Sequence, residues 1–197
     1  MNIYILLFDN FRTLDVFGPV DVFGEVSEFT LHYCSLVGGL VYSSHHVPIM
    51  TEVMPLTIFS DSIIFIPGGI GTRSLVNDVG FTKALTHIIP QASYCLTVYT
   101  GSALVAKTGL LEGKTATSNK KAWSWVTSVN PQVNWQYHAR WCIDVCFYTS
   151  SGISAGTDMA LGFVADLYGQ ERSRLIADSM EYVWNNQSYN DPFAEPM

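Results

Sequence analysis

The stretch ASYCLTVYTGSALVAKTGLLEG, Ala92 to Gly113, decides the reading of this chain. Tyr94 to Val98 is an apolar run of strand length, Tyr99-Thr100-Gly101-Ser102 is a tight turn, and Ala103, Leu104, Val105 and Ala106 carry a helix towards Gly109. Buried strand, sharp turn and helix start form the geometry that holds a nucleophile at the top of an α/β sheet. A side chain at that turn faces a helix N-terminus, where free N–H groups and the positive end of the dipole favour negative charge. Position 99 is therefore where chemistry is expected, and it holds a tyrosine.

Working outward, Ile3–Phe8 and Ser62–Ile66 read as strands buried on both faces, as in a parallel sheet. Phe29–Val37, Leu40–Tyr42, Val47–Val53, Lys114–Thr117, Val133–Trp141 and Val145–Thr149 supply further strands, the last two around a turn at Asp144. Thr13 can cap a helix carrying Val16, Val20 and Phe23, with Pro19 inside it. Phe81, Leu85, Ile88 and Ile89 stripe a second helix, and Ser118 or Asn119 can cap another through Trp123 and Val126. Ser154 can cap the helix of Ala160, Phe163, Val164, Leu167 and Tyr168. A last helix buries Ile176, Met180, Val183 and Trp184, and the polar tail from Asn185 is expected on the surface. Strands alternating with helices give a three-layer α/β sandwich around a mainly parallel sheet, one domain over residues 1–197.

Composition narrows the partners. With a formal charge of −7 over 197 residues and no Lys/Arg-rich run, neither nucleic acid nor an anionic membrane is expected. No apolar run approaches the roughly 20 residues of a membrane span, and Asp9, Arg12 and Asp15 follow the start too soon for a signal peptide. A cytoplasmic location is expected. Cys34, Cys95, Cys142 and Cys146 are then reduced thiols without zinc-site spacing, and the adjacent His45-His46 point to opposite faces of an extended chain, so no metal is assigned. The Gly-rich turn Pro67-Gly68-Gly69-Ile70-Gly71-Thr72-Arg73 lets backbone N–H groups approach a ligand, as an oxyanion hole requires. It is neither a P-loop nor a dinucleotide fingerprint. Arg73 could clamp a carboxylate or, in the preferred reading, form an ion pair with Asp15, Asp78 or a partner subunit.

Four segments together, Leu14-Asp15-Val16-Phe17-Gly18-Pro19, the turn 67–73, Thr100-Gly101-Ser102 with Gly109-Leu110-Leu111-Glu112-Gly113-Lys114, and Ser151-Gly152-Ile153-Ser154-Ala155-Gly156-Thr157-Asp158-Met159-Ala160, resemble the ThiJ/PfpI superfamily of the class I glutamine amidotransferase-like fold. The resemblance covers almost the whole chain and is nearest the isonitrile hydratase and intracellular protease/amidase-related branch. It implies a flavodoxin-like sandwich, commonly homodimeric, with a small-molecule pocket above the carboxyl ends of the strands and no organic cofactor. It also implies a cysteine in a V-C-T-G elbow, where this chain has Val98-Tyr99-Thr100-Gly101, and a histidine where it has Asn119. Asp15 matches the branch's acidic residue, Thr100 the residue after the nucleophile, and Gly69 with Ile70 the backbone donors; Gly68, Gly101, Arg73 and Asn119 complete the expected binding residues.

The elbow substitution matters because a thiol at a helix N-terminus is drawn below about 8.5 and becomes a strong nucleophile, whereas a phenol starts near 10 and attacks poorly. Cys95, roughly 13 Å back along the strand, cannot take over. The expectation is a small-molecule-binding member with lost or strongly altered catalysis. The alternative is an active hydratase or amide hydrolase with Asp15 as base and Tyr99 as proton donor.

Overall fold

A computed structural model describes residues 1–194. Its strands are β1 (Asn2–Leu6), β2 (Thr30–Ser35), β3 (Gly39–Tyr42), β4 (Pro48–Val53), β5 (Ile63–Ile66), β6 (Tyr94–Thr97), β7 (Thr115–Ala116), β8 (Asn134–Trp135), β9 (Trp141–Asp144) and β10 (Phe147–Ser150). Eight of them form one sheet in the order β3-β4-β2-β1-β5-β6-β10-β9, parallel except for the two edge pairs β3/β4 and β9/β10. The unbroken apolar runs at 3–6 and 63–66 become the centre of this sheet, buried on both faces.

The helices are α1 (Thr13–Gly24), α2 (Thr72–Leu75), α3 (Val79–Ile88), α4 (Gly101–Lys107), α5 (Trp123–Val129), α6 (Ala155–Tyr168) and α7 (Gln170–Ser179). One layer groups α1, α6 and α7, and the other groups α2, α3, α4 and α5. Aromatic packing fastens the first layer to the sheet: Phe23 meets Phe65 and Phe163 edge-on, at 5.9 and 6.4 Å between ring centres. Among the described residues no helix is long and apolar enough to cross a membrane.

This topology positions the site. The chain leaves β1 for β2 on one side and the sheet then grows through β5 and β6 on the other, so the loops after β1, β5 and β6 meet at the switch point. Phe11 bridges to Gly69, and the Arg12 N–H donates to the Gly68 carbonyl at 2.8 Å. Three loops far apart in sequence thus become one surface.

Several local expectations are corrected. Thr13 lies inside α1 and caps nothing; its hydroxyl donates to Ser43 Oγ at 2.9 Å and meets His45 Nδ1 at 2.7 Å. Ser118 and Asn119 do not cap α5, which begins at Trp123. The expected strand 133–141 divides into β8 and β9 around an irregular segment, and Ser154 occupies the cap position of α6 without a capping hydrogen bond. Val183 is exposed. The tail is no surface ribbon: Asp191 and Ala194 are buried, because Asp191 meets two cations below the surface.

Candidate functional site

Tyr99 follows β6 with φ at +58°, a left-handed conformation that costs a residue with a Cβ on the order of 1–3 kcal/mol. Its neighbours hold it there. Gly101 permits the turn, since a Cβ at that position would come within 2.5 Å of the Ile66 carbonyl oxygen and 2.8 Å of that of Pro67. Gly68 packs against the other side, where an added Cβ would meet Tyr99 Cβ at 2.9 Å. The Tyr99 carbonyl accepts hydrogen bonds from Ser118 Oγ at 2.7 Å and Ser102 Oγ at 3.3 Å. The ring is half-buried against the core.

Asp15 stands behind this turn. It is completely buried on the first turn of α1, and its Oδ2 accepts the Gly68 N–H at 2.9 Å. Its Oδ1 has no partner among the described residues. Burial pushes the Asp15 carboxyl up to about 8, against the smaller downward pull of the Gly68 N–H and the Arg12 charge. At neutral pH it is therefore mainly a carboxylic acid, with a proton to give.

The glycine loop departs from expectation in one respect. The Gly69 N–H, expected to be open, donates to Thr100 Oγ1 at 2.9 Å, and Thr72 Oγ1 donates to the same oxygen at 3.0 Å. The antiparallel bridge between Phe11 and Gly69 turns the Ile70 N–H towards the Asn10 carbonyl, and Thr100 is buried against Gly68. At α4, Gly101 N donates to the Val98 carbonyl and Ala103 N to that of Thr100, so these amides close within the turn instead of facing an anion. Ile70 itself is two-thirds exposed.

Asn119 is buried, and neither heteroatom of its carboxamide has a partner among the described residues. It follows Ser118, which grips the elbow carbonyl, and precedes Lys120, whose ammonium donates to the Ser118 and Ala139 carbonyls at 3.2 and 3.0 Å. Asp15, Gly68, Gly69, Tyr99, Thr100 and Gly101 thus come together, and the contact from Ser118 brings Asn119's segment to them. Arg73 does not join them. It forms no ion pair among the described residues; its guanidinium lies over the Trp125 ring at 3.7 Å, an interaction between residues 52 positions apart that spacing could not reveal. Sequence reasoning also missed Ser118 and Thr72 as supports of the elbow. Both lay inside stretches already singled out, but a hydroxyl that braces a carbonyl or another hydroxyl has no periodic signature.

The cysteines offer no replacement nucleophile. Burial pushes the Cys95 thiol far up, and Cys142 up to about 12. A groove of about 560 Å³ lies along β9 between Gln136 and Tyr189, and no elbow residue lines it.

Comparison with known proteins bears on the family and the fold. The DJ-1/PfpI family profile matches residues 1–166. Isonitrile hydratase of Pseudomonas putida is 30% identical over 191 residues, 93% of this chain and 79% of that protein. The HTH-type transcriptional regulator GbdR of Pseudomonas aeruginosa is 26% identical over 95% of this chain, which spans about half (53%) of the regulator's length. Among solved structures, a THiJ/PfpI family protein from Pseudomonas syringae superposes with a TM-score of 0.82 at 24% identity, over 92% of this chain and 74% of that one. Drosophila melanogaster DJ-1beta superposes with a TM-score of 0.78 at 18% identity, over 93% and 98%.

Proposed function

The chain belongs to the DJ-1/PfpI family, and on that premise we propose that it binds a small molecule at the elbow, with the catalysis of its hydratase relatives lost or strongly altered. The observation that carries this reading is the contrast at the switch point. The strained elbow and the buried acid behind it are kept, while the attacking atom is a phenol oxygen on a half-buried ring. Tyr99 fills part of the space a ligand would use and offers it one hydrogen bond. Asp15 Oδ1 and the Thr100 amide are the donors proposed to hold a carbonyl or nitrile-like group, with Gly68, Gly69, Ile70 and Gly101 shaping the loop. The similarity to a transcriptional regulator supports a role in binding. Arg73, committed to Trp125, is given no substrate contact.

One observation favours an active hydratase as the second reading. With its carboxyl raised to about 8, Asp15 acts at neutral pH as a proton donor; the base role first expected of it requires pH above 8. Tyr99 is then a second polar group on the substrate.

Incubation with simple isonitriles, followed by formamide production, separates the two. The binding reading predicts no turnover by the wild type and turnover gained in Tyr99→Cys. Turnover by the wild type that Asp15→Ala abolishes would establish the enzyme instead. The protein is further proposed to be a cytoplasmic homodimer, with the exposed Leu14 and Phe17 of α1 as apolar contact surface; light scattering on the purified chain reads its mass directly.

A further inference from the structure

From the bare carboxamide of Asn119 we infer that the elbow site reads a neutral ligand through an amide-like edge, a hydrogen-bond donor beside an acceptor, as in a primary carboxamide, a urea or a lactam. The inference rests on the binding reading above and narrows it to one chemical class.

Asn119 is only 2% exposed, and both its Nδ2 and its Oδ1 lack a partner among the described residues. A buried polar group without a partner is costly, and native folds rarely keep two on one side chain. The single hydroxyls of Ser44, Ser62 and Thr97 are also unpaired, but each can rotate towards a passing acceptor; a carboxamide presents its donor and acceptor together in a fixed plane. Asn119 is tied to the elbow through Ser118, whose hydroxyl holds the Tyr99 carbonyl, and Asp15 Oδ1 is bare on the far side of Gly68, which packs against Tyr99. Both unpartnered side chains are thus joined to Tyr99 through one intervening residue, Ser118 on one side and Gly68 on the other.

The chemistry of the pair selects the ligand. A carboxylate would satisfy Nδ2 and leave Oδ1 facing another acceptor; an ammonium would satisfy Oδ1 and leave Nδ2 facing another donor. An amide edge satisfies both at once. A buried anion would also need a cation, and Lys120, the one next in sequence, is already held by Asp191 at 3.3 Å and by two carbonyls.

The test uses the whole chain and three probes of one size, propionamide, propionate and propylammonium, titrated by calorimetry and by amide NMR shifts into wild type, Tyr99→Ala and Asn119→Leu. The expected result is saturable binding of propionamide alone, strengthened in Tyr99→Ala, where the ring is removed, and weakened at least tenfold in Asn119→Leu. Should Asn119→Leu fail to fold, Asn119→Asp, which replaces the donor with a second acceptor, is expected to weaken propionamide in the same way. Propionate binding as tightly as propionamide, or propionamide indifferent to residue 119, overturns the amide class while the binding reading survives. No probe binding to either wild type or Tyr99→Ala overturns both.

Discussion

Two buried polar regions lie on either side of Lys120, and they are finished to different degrees. In the first, Arg140 donates through Nε to Asp158 Oδ2 at 2.7 Å and through Nη2 to the same oxygen; Tyr182 Oη and the Asn185 N–H donate to Asp158 Oδ1 at 3.1 and 3.0 Å. Asp191 pairs with Lys120 and Arg140 and accepts the Ser151 hydroxyl. Two cations balance two carboxylates, and no side-chain polar atom of this group is left unpartnered among the described residues. In the second, around Tyr99, one carboxyl oxygen and a whole carboxamide are bare, and the backbone is held left-handed. A polar cluster built to hold the fold is closed on itself. One built to meet something else keeps open valences, and the cost of keeping them marks the site.

The sharpest way to break this comparison is to open the closed cluster. Arg140→Ala leaves Asp158 and Asp191 short of their counter-charge, and urea unfolding is expected to show a loss of about 3–5 kcal/mol. A loss below about 1 kcal/mol would mean that the two regions do not differ in kind.

The next effect has the opposite sign. Asp15 ionises near 8 in the folded chain and near 3.8 when unfolded, so between those values the folded state holds a proton that the unfolded state has released. Its contribution to stability therefore falls as pH rises from about 4 to 8, by up to roughly 1.4 kcal/mol per pH unit, and levels off above. Asp15→Asn keeps the acceptor for Gly68 and removes the ionisation. It is expected to be more stable than the wild type by several kcal/mol at pH 8, the roughly 1.4 kcal/mol per unit accumulated over the window, with a Tm raised by on the order of 10 °C, and no different at pH 4. Scanning calorimetry at the two pH values checks both halves.

The smallest effect concerns Asn119. Replacing its bare carboxamide with the similarly sized leucine is expected to stabilise the ligand-free protein by about 1 kcal/mol, independent of pH. Destabilisation by that much would mean that Asn119 has structural partners after all.

The same contrast governs what the sequence disclosed. The central strands were legible because burial on both faces leaves an unbroken apolar run, as at Ile3–Leu6 and Ile63–Ile66. The elbow was legible because Val98-Tyr99-Thr100-Gly101 follows such a run, and Asp15 because it sits in a motif at the start of α1. The closed cluster was not. Asp191 lies in a polar tail whose composition reads as surface, and only the three-dimensional meeting of Lys120, Arg140, Asp158 and Asp191 turns that polarity inward. The commitments of Arg73 to Trp125 and of the Gly69 amide to Thr100 were equally hidden, since each joins segments that only the fold brings together.

At the elbow an uncharged acid stands behind a residue that attacks poorly. A carbon-13 NMR titration of the Asp15 carboxyl, assigned by its absence in Asp15→Asn, measures this at the atom concerned. The midpoint is expected near 8 in the ligand-free protein; a midpoint near 4, the ordinary carboxylate range, would mean that no uncharged acid stands behind the elbow.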